Sequence, residues 1–138
     1  MEVMSIKGSF YSNFFSVRNE ENFKKFLSKI SVEGGDIRLN SKIMFREIGA
    51  EKLYQITGTG IITGYDTERY GVEQSFQMLL DGLAAQVCAN NKVALMMRYA
   101  SSDTMFDCAA IIIQDKQACF KSFLNEIQKE FHLNLTDF

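Results

Sequence analysis

Two charges stand inside otherwise apolar stretches of this chain, and they are the first residues to weigh for chemistry. Arg98 follows the run Val93-Ala94-Leu95-Met96-Met97, and Asp107 interrupts the run from Thr104 to Ile113. An opposite-charge pair in apolar surroundings is either a structural ion pair or the polar part of a site, since burial perturbs the protonation of both groups. Together with Tyr99, they define one candidate pocket: Arg98, Tyr99 and Asp107. A structural ion pair is the more economical account.

A second group lies in the loop Gly64 to Gly71, where Tyr65, Arg69 and Tyr70 occur within six residues. Tyrosine and arginine dominate binding hot spots, and loops carry function out of proportion to their length. These three are the candidate partner-binding residues. The competing account is that Tyr65 ends a strand and Tyr70 packs over the following helix.

Other constellations are weaker. The single histidine, His132, sits where a final helix would fray, so a Ser-His or Cys-His nucleophile system would have to be built around it alone. A helix-end histidine favourable to the helix dipole explains it more simply, and no catalytic residue is assigned. Cys88, Cys108 and Cys119 are widely spaced, without the clustering of a closed zinc site, and their odd number suits reduced thiols in a cytoplasmic protein. Glu126 and Glu130 share a helical face and could hold a hard cation, but solvation beside Lys129 accounts for them. The glycines Gly58, Gly60 and Gly64 superficially suggest a dinucleotide-binding turn. That motif needs a helix opening directly at the glycines, and here Ile61 and Ile62 continue a β-like pattern. No metal and no cofactor is expected.

Composition bounds the remaining classes. At 138 residues the chain is about one ordinary domain, and 46% apolar with 23% charged residues is a globular profile. The formal charge of −2 gives no basic footprint for nucleic acid, and the cluster Lys24, Lys25 and Lys29 is better read as a solvated helix face. No apolar run approaches the ~20 residues of a membrane-spanning helix. The start, Met1 to Lys7, lacks a basic segment followed by an apolar core, so neither membrane insertion nor a secretion signal is expected.

The element that must position the first candidate group is a hairpin over Lys92 to Ile113. Both arms are nearly continuous apolar runs, the pattern of strands covered on both faces. A two-residue turn at Ser102-Asp103 sets Ser101 opposite Thr104, Tyr99 opposite Phe106 and Arg98 opposite Asp107, giving an aromatic and a charged cross-strand pair. Before it, Ser9 to Val17 reads as a strand, with Val3 to Ile6 extending it or pairing separately. A helix capped by Asn19 carries Phe23, Phe26, Leu27 and Ile30 on one stripe. Short strands follow at Asp36 to Asn40 and Lys42 to Ile48, with Ile37, Leu39, Ile43 and Phe45 inward. A longer strand over Lys52 to Thr63 is bent at Gly58 and Gly60, and a helix runs from Val72 to Cys88. Asp115 caps a last helix carrying Phe120, Phe123, Leu124, Ile127 and Phe131. The order β-α-β-β-β-α-β-β-α predicts a single α+β domain over residues 1–138, with a largely antiparallel sheet and helices packed on it.

The functional expectation is a non-enzymatic protein-binding domain, a small inhibitor or adaptor that acts by occupying a partner's surface. The alternative is a small-molecule-binding protein or enzyme with a pocket at the sheet end near Arg98, Tyr99 and Asp107. Nucleic-acid binding is the weakest option. Twelve Phe, with apolar residues Leu133, Leu135 and Phe138 in the tail, also point towards a homodimer.

Overall fold

The computed structural model describes residues 7–101 and 104–122. In chain order the elements are β1 (Lys7–Ser12), α1 (Glu20–Ser28), β2 (Ile30–Glu33), β3 (Ile37–Arg46), β4 (Gly49–Thr59) and β5 (Ile61–Tyr65). They continue with α2 (Val72–Gln86), β6 (Val93–Ser101), β7 (Thr104–Gln114) and β8 (Gln117–Ser122). Six strands form an antiparallel sheet in the order β3-β4-β1-β6-β7-β8, and β2 pairs with β5 separately. Among the described residues no helix is long and apolar enough to cross a membrane.

The continuous apolar runs of the hairpin have a direct physical origin. Val93, Leu95, Ile111 and Ile113 face a large core that also holds Phe23, Phe26 and Leu27 of α1 and Leu79, Leu80 and Leu83 of α2. Ala94, Met96, Ala110 and Ile112 on the other face are also buried and pack with Tyr11 and Cys119. A strand buried on both sides has no position left for alternating polar residues. The helix start at Asn19 is as expected: its side chain accepts the Asn22 N–H at 2.9 Å, with Glu20 and Glu21 in the first turn. Ile30, however, opens β2 instead of closing the helix.

The hairpin register differs from expectation. Ser101 does face Thr104, but Tyr99 faces Asp107 and Arg98 faces Cys108, because a bulge falls between Tyr99 and Ser101. Met105 and Phe106 together oppose the single residue Ala100. This one-residue offset takes both expected cross-strand pairs out of direct register, with Arg98 opposite Cys108 and Tyr99 opposite Asp107. Arg98 is exposed, not buried. The turn residues Ser102 and Asp103 and the side chains of Tyr99 and Asp107 lie outside the described residues.

Asp115 does not cap a helix. It and Lys116 take positive φ values of 51° and 64°, and β8 returns antiparallel with Gln114 opposite Gln117. Two central residues in the left-handed region make the tight turn that fits the twist of a hairpin, with a cost for side chains other than Asn or Gly. Replacing Asp115-Lys116 by Asn-Gly is therefore expected to raise stability by about 1 kcal/mol, read from the urea midpoint at unchanged slope. A helix N-terminus at this point would instead lose stability with Gly in its first turn. Residues 123–138, including His132, Glu126, Glu130 and the apolar tail, lie outside the described residues, as do residues 3–6.

Candidate functional site

The expected short strands over 36–48 are one strand of ten residues, β3, which together with β4 continues past β1. β4 pairs with β1 only from Thr57 to Thr59, with one further bridge between Tyr54 and Phe15. The β3–β4 ladder runs on for five more pairs, from Lys42–Leu53 to Arg46–Gly49. At ~3.4 Å per residue this is a two-stranded arm of about 17 Å, with no third strand beside it among the described residues. All residues from 41 to 50 are exposed. Ile43 is 58% exposed, Phe45 81% and Ile48, in the turn, fully. Exposed large apolar side chains clustered on one projection mark an interaction surface, since an isolated hairpin gains nothing from showing them to water.

The base of the arm is fixed to the body. Leu53 is buried, and the Lys42 ammonium lies 4.2 Å from the Phe14 ring centroid. Lys52 donates to the Glu20 carboxylate at 2.9 Å, and Lys24 pairs with the same oxygen at 3.2 Å. Hydrogen bonds from the Tyr54 hydroxyl, Lys52 and Lys24 hold the Glu20 carboxyl down at about 2, and the same carboxylate raises Lys52. Burial, and then the hydrogen bond to Glu20, raises Tyr54, so the phenol stays protonated. These shifts oppose an acid–base role: the carboxylate is a poorer base, and the phenol and ammonium hold their protons more firmly. The cluster works as a clasp between the first turn of α1 and the root of the arm.

The sign of its pH dependence follows. A carboxyl depressed from 4.5 to about 2 in the fold contributes stability that is complete above 4.5 and lost as pH falls through 2. The melting-temperature advantage of the wild type over Glu20→Gln is expected to shrink as pH falls across that window. A difference constant from neutral pH down to the lower limit would disprove the clasp.

The residues singled out in the sequence fall apart in space. Tyr65 ends β5 and stacks on Phe26, ring centroids 4.7 Å apart at 16°, while the Ser75 hydroxyl binds both its N–H and its C=O at 2.8 Å. Its ring is half-buried and packs against the core. Arg69 and Tyr70 lie in the turn started by Asp66, with the guanidinium 5.5 Å from the Tyr70 ring centroid, and Arg69 is exposed. Arg98 lines a mostly apolar cavity of about 190 Å³ whose other walls include Ile61, Phe76, Met97 and Phe120. Cys88, Cys108 and Cys119 are free thiols, and no metal-holding group of His, Cys, Asp or Glu occurs among the described residues.

The arm escaped the sequence reading because Ile37, Leu39, Ile43 and Phe45 alternate as they would in a half-buried strand. What uncovers the arm is that β1 ends at Ser12 while β3 and β4 run on together. No protein-family model, curated protein or solved structure matches the chain.

Proposed function

We propose that this protein is a non-enzymatic binding domain of the cytoplasm that occupies the surface of a partner protein, as a small inhibitor or adaptor does, and that the β3–β4 arm makes the contact. One observation carries the reading: Ile43, Phe45 and Ile48 are exposed on a ribbon that projects from a well-filled body. A clasped root and an apolar tip suit insertion into a complementary surface, where a few large side chains supply most of the binding energy. Arg69 and Tyr70 offer an additional polar contact.

Immobilised wild type and a Phe45→Asp/Ile48→Asp double variant should be compared for proteins retained from lysate of the producing cells. Both are expected to melt alike, within about 0.5 kcal/mol, because these side chains are solvent-exposed. The wild type should retain a partner that the variant loses. Equal retention would refute the arm as the contact.

The cavity beside Arg98 favours a second reading, a small-molecule binder. About 190 Å³ suits a small apolar group, and an arginine on the wall could take its acidic end. A thermal-shift screen of short carboxylic acids should raise the melting temperature of the wild type but not of an Ile111→Trp variant that fills the space. The second reading fails if no acid shifts the wild type.

A further inference from the structure

We infer that the open edge of β3 binds an extended segment of the partner by strand addition, and that the segment alternates acidic with apolar residues. The inference rests on the protein-binding reading above and names the chemistry of the partner. It starts from the hydrogen bonds of β4. Tyr54 and Phe15 exchange both backbone hydrogen bonds, at 2.9 and 2.7 Å, so Tyr54 directs its N–H and C=O away from β3. The Thr59 N–H, in contrast, donates to the Asp36 C=O at 3.0 Å. Hydrogen-bonded and non-hydrogen-bonded pairs alternate along an antiparallel ladder. In the β3–β4 register Tyr54 opposes Ser41. Ile37, Leu39, Ser41, Ile43 and Phe45 therefore turn their backbone N–H and C=O outward, in the phase that an added strand needs. Among the described residues β3 has a neighbour on one side only.

The two faces of β3 specify what that strand carries. Its first half borders α1 across an open hollow of about 280 Å³ lined by Lys24, Leu27, Ser28, Ile37, Arg38 and Leu39. Alternate side chains of an added strand fall on this side, where Leu27, Ile37 and Leu39 offer an apolar seat. The opposite face carries Arg38, Lys42 and Arg46, and β3 has no acidic residue. Arg46 is engaged by Glu51 at 3.0 Å, whereas Arg38 is exposed and makes no ion pair among the described residues. Carboxylates at the remaining alternate positions would meet these cations across the strand. Strand addition between an edge strand and a helix draws affinity from the backbone and specificity from alternate side-chain pockets.

A second copy of this chain gains less from the edge than an acidic strand does. Its β3 would bring three further cations and no carboxylate. Two-fold registers centred on Asn40, Lys42 or Met44 set cations directly opposite one another, which is destabilising, and those centred on Leu39, Ser41 or Ile43 set no β3 cation opposite a β3 carboxylate. The basic face thus favours an acidic strand over a second β3.

The test uses the full chain and a short, end-capped, fluorescent peptide alternating glutamate with valine and isoleucine, followed by anisotropy. A lysine-for-glutamate peptide serves as its opposite, and a third peptide is N-methylated on the alternate amides that would face β3. The glutamate peptide should bind the wild type. Arg38→Glu should weaken it about tenfold while strengthening the lysine peptide, and N-methylation should abolish binding. Melting curves show that each variant is folded, and Arg38→Lys should retain binding. No binding of the glutamate peptide, equal binding of the lysine peptide, or indifference to N-methylation would each overturn the proposal. So would a dimer mass by light scattering that falls to a monomer on Leu39→Pro, since the edge would then belong to a second copy. If the peptide fails while Phe45→Asp/Ile48→Asp still loses the retained partner, strand addition is wrong and the arm reading stands.

Discussion

Phe23→Ala is expected to lower the free energy of unfolding by about 3–5 kcal/mol, the range for deleting a fully buried aromatic ring. The upper half of that range applies here. Phe23 is wholly buried, and its ring meets Phe15 at 5.7 Å and Tyr54 at 5.8 Å, both edge-on. Edge-to-face pairs add to the burial of area, so truncation loses two favourable contacts along with the transfer term. The cavity term is also large, because neither neighbour can close in. Phe15 and Tyr54 are joined through both backbone hydrogen bonds, and Tyr54 is held again at its hydroxyl by Glu20. Urea unfolding of Phe23→Ala beside Phe45→Ala gives the measurement. The first should lose several kcal/mol and the second less than about 0.5, though both remove the same atoms. Comparable losses would mean that the arm is buried against the body, and the proposed contact would go with it.

How far the sequence could be read depends on which forces act locally. The central hairpin was legible because Ala94, Met96, Ala110 and Ile112 are buried on one face and Val93, Leu95, Ile111 and Ile113 on the other, so burial itself wrote the pattern. The start of α1 was legible because Asn19 satisfies an N–H three residues on, within its own turn. The register was not, since a bulge at Ala100 costs one residue and leaves no mark in the apolar periodicity. β8 was misread for a related reason: an aspartate suits both a helix N-cap and a left-handed turn, and Phe120, Phe123 and Leu124 are spaced in the sequence as on one face of a helix. The arm depends on something that no local pattern holds, the point at which β1 stops. Alternation along β3 shows that the strand has two unlike faces, and only the neighbouring strand decides whether one of them is covered.

Gly60→Ala is expected to cost more than a surface substitution can, about 2–6 kcal/mol, from two separate causes. At φ 92° the backbone is left-handed, outside the region that a side chain tolerates well, and such strain costs about 1–3 kcal/mol. An added Cβ would also stand 2.5 Å from the Glu33 carbonyl oxygen and 2.7 Å from the Gly35 nitrogen. These are backbone atoms, so relief requires moving the β2 end of the chain, at a further cost of about 1–3 kcal/mol. Gly60 also donates to the Gly8 carbonyl at 2.8 Å, which ties the corner to β1 as β4 leaves the six-stranded sheet and β5 turns to pair with β2. Of the glycines that superficially suggest a nucleotide-binding turn, Gly60 is small because backbone passes over backbone, Gly58 because the Phe10 ring and the Asp36 carbonyl lie against it, and Gly64 because the Ser75 hydroxyl does. Gly71→Ala is the control: at φ −65°, with nothing within 4 Å of an added Cβ, it carries no strain and should cost at most about 1 kcal/mol, the preference for glycine over alanine at the N-cap of α2. Equal unfolding midpoints for the two variants would show that the corner is open, with room at Gly60 for a ligand. A loss confined to Gly60→Ala shows that the chain itself fills that space.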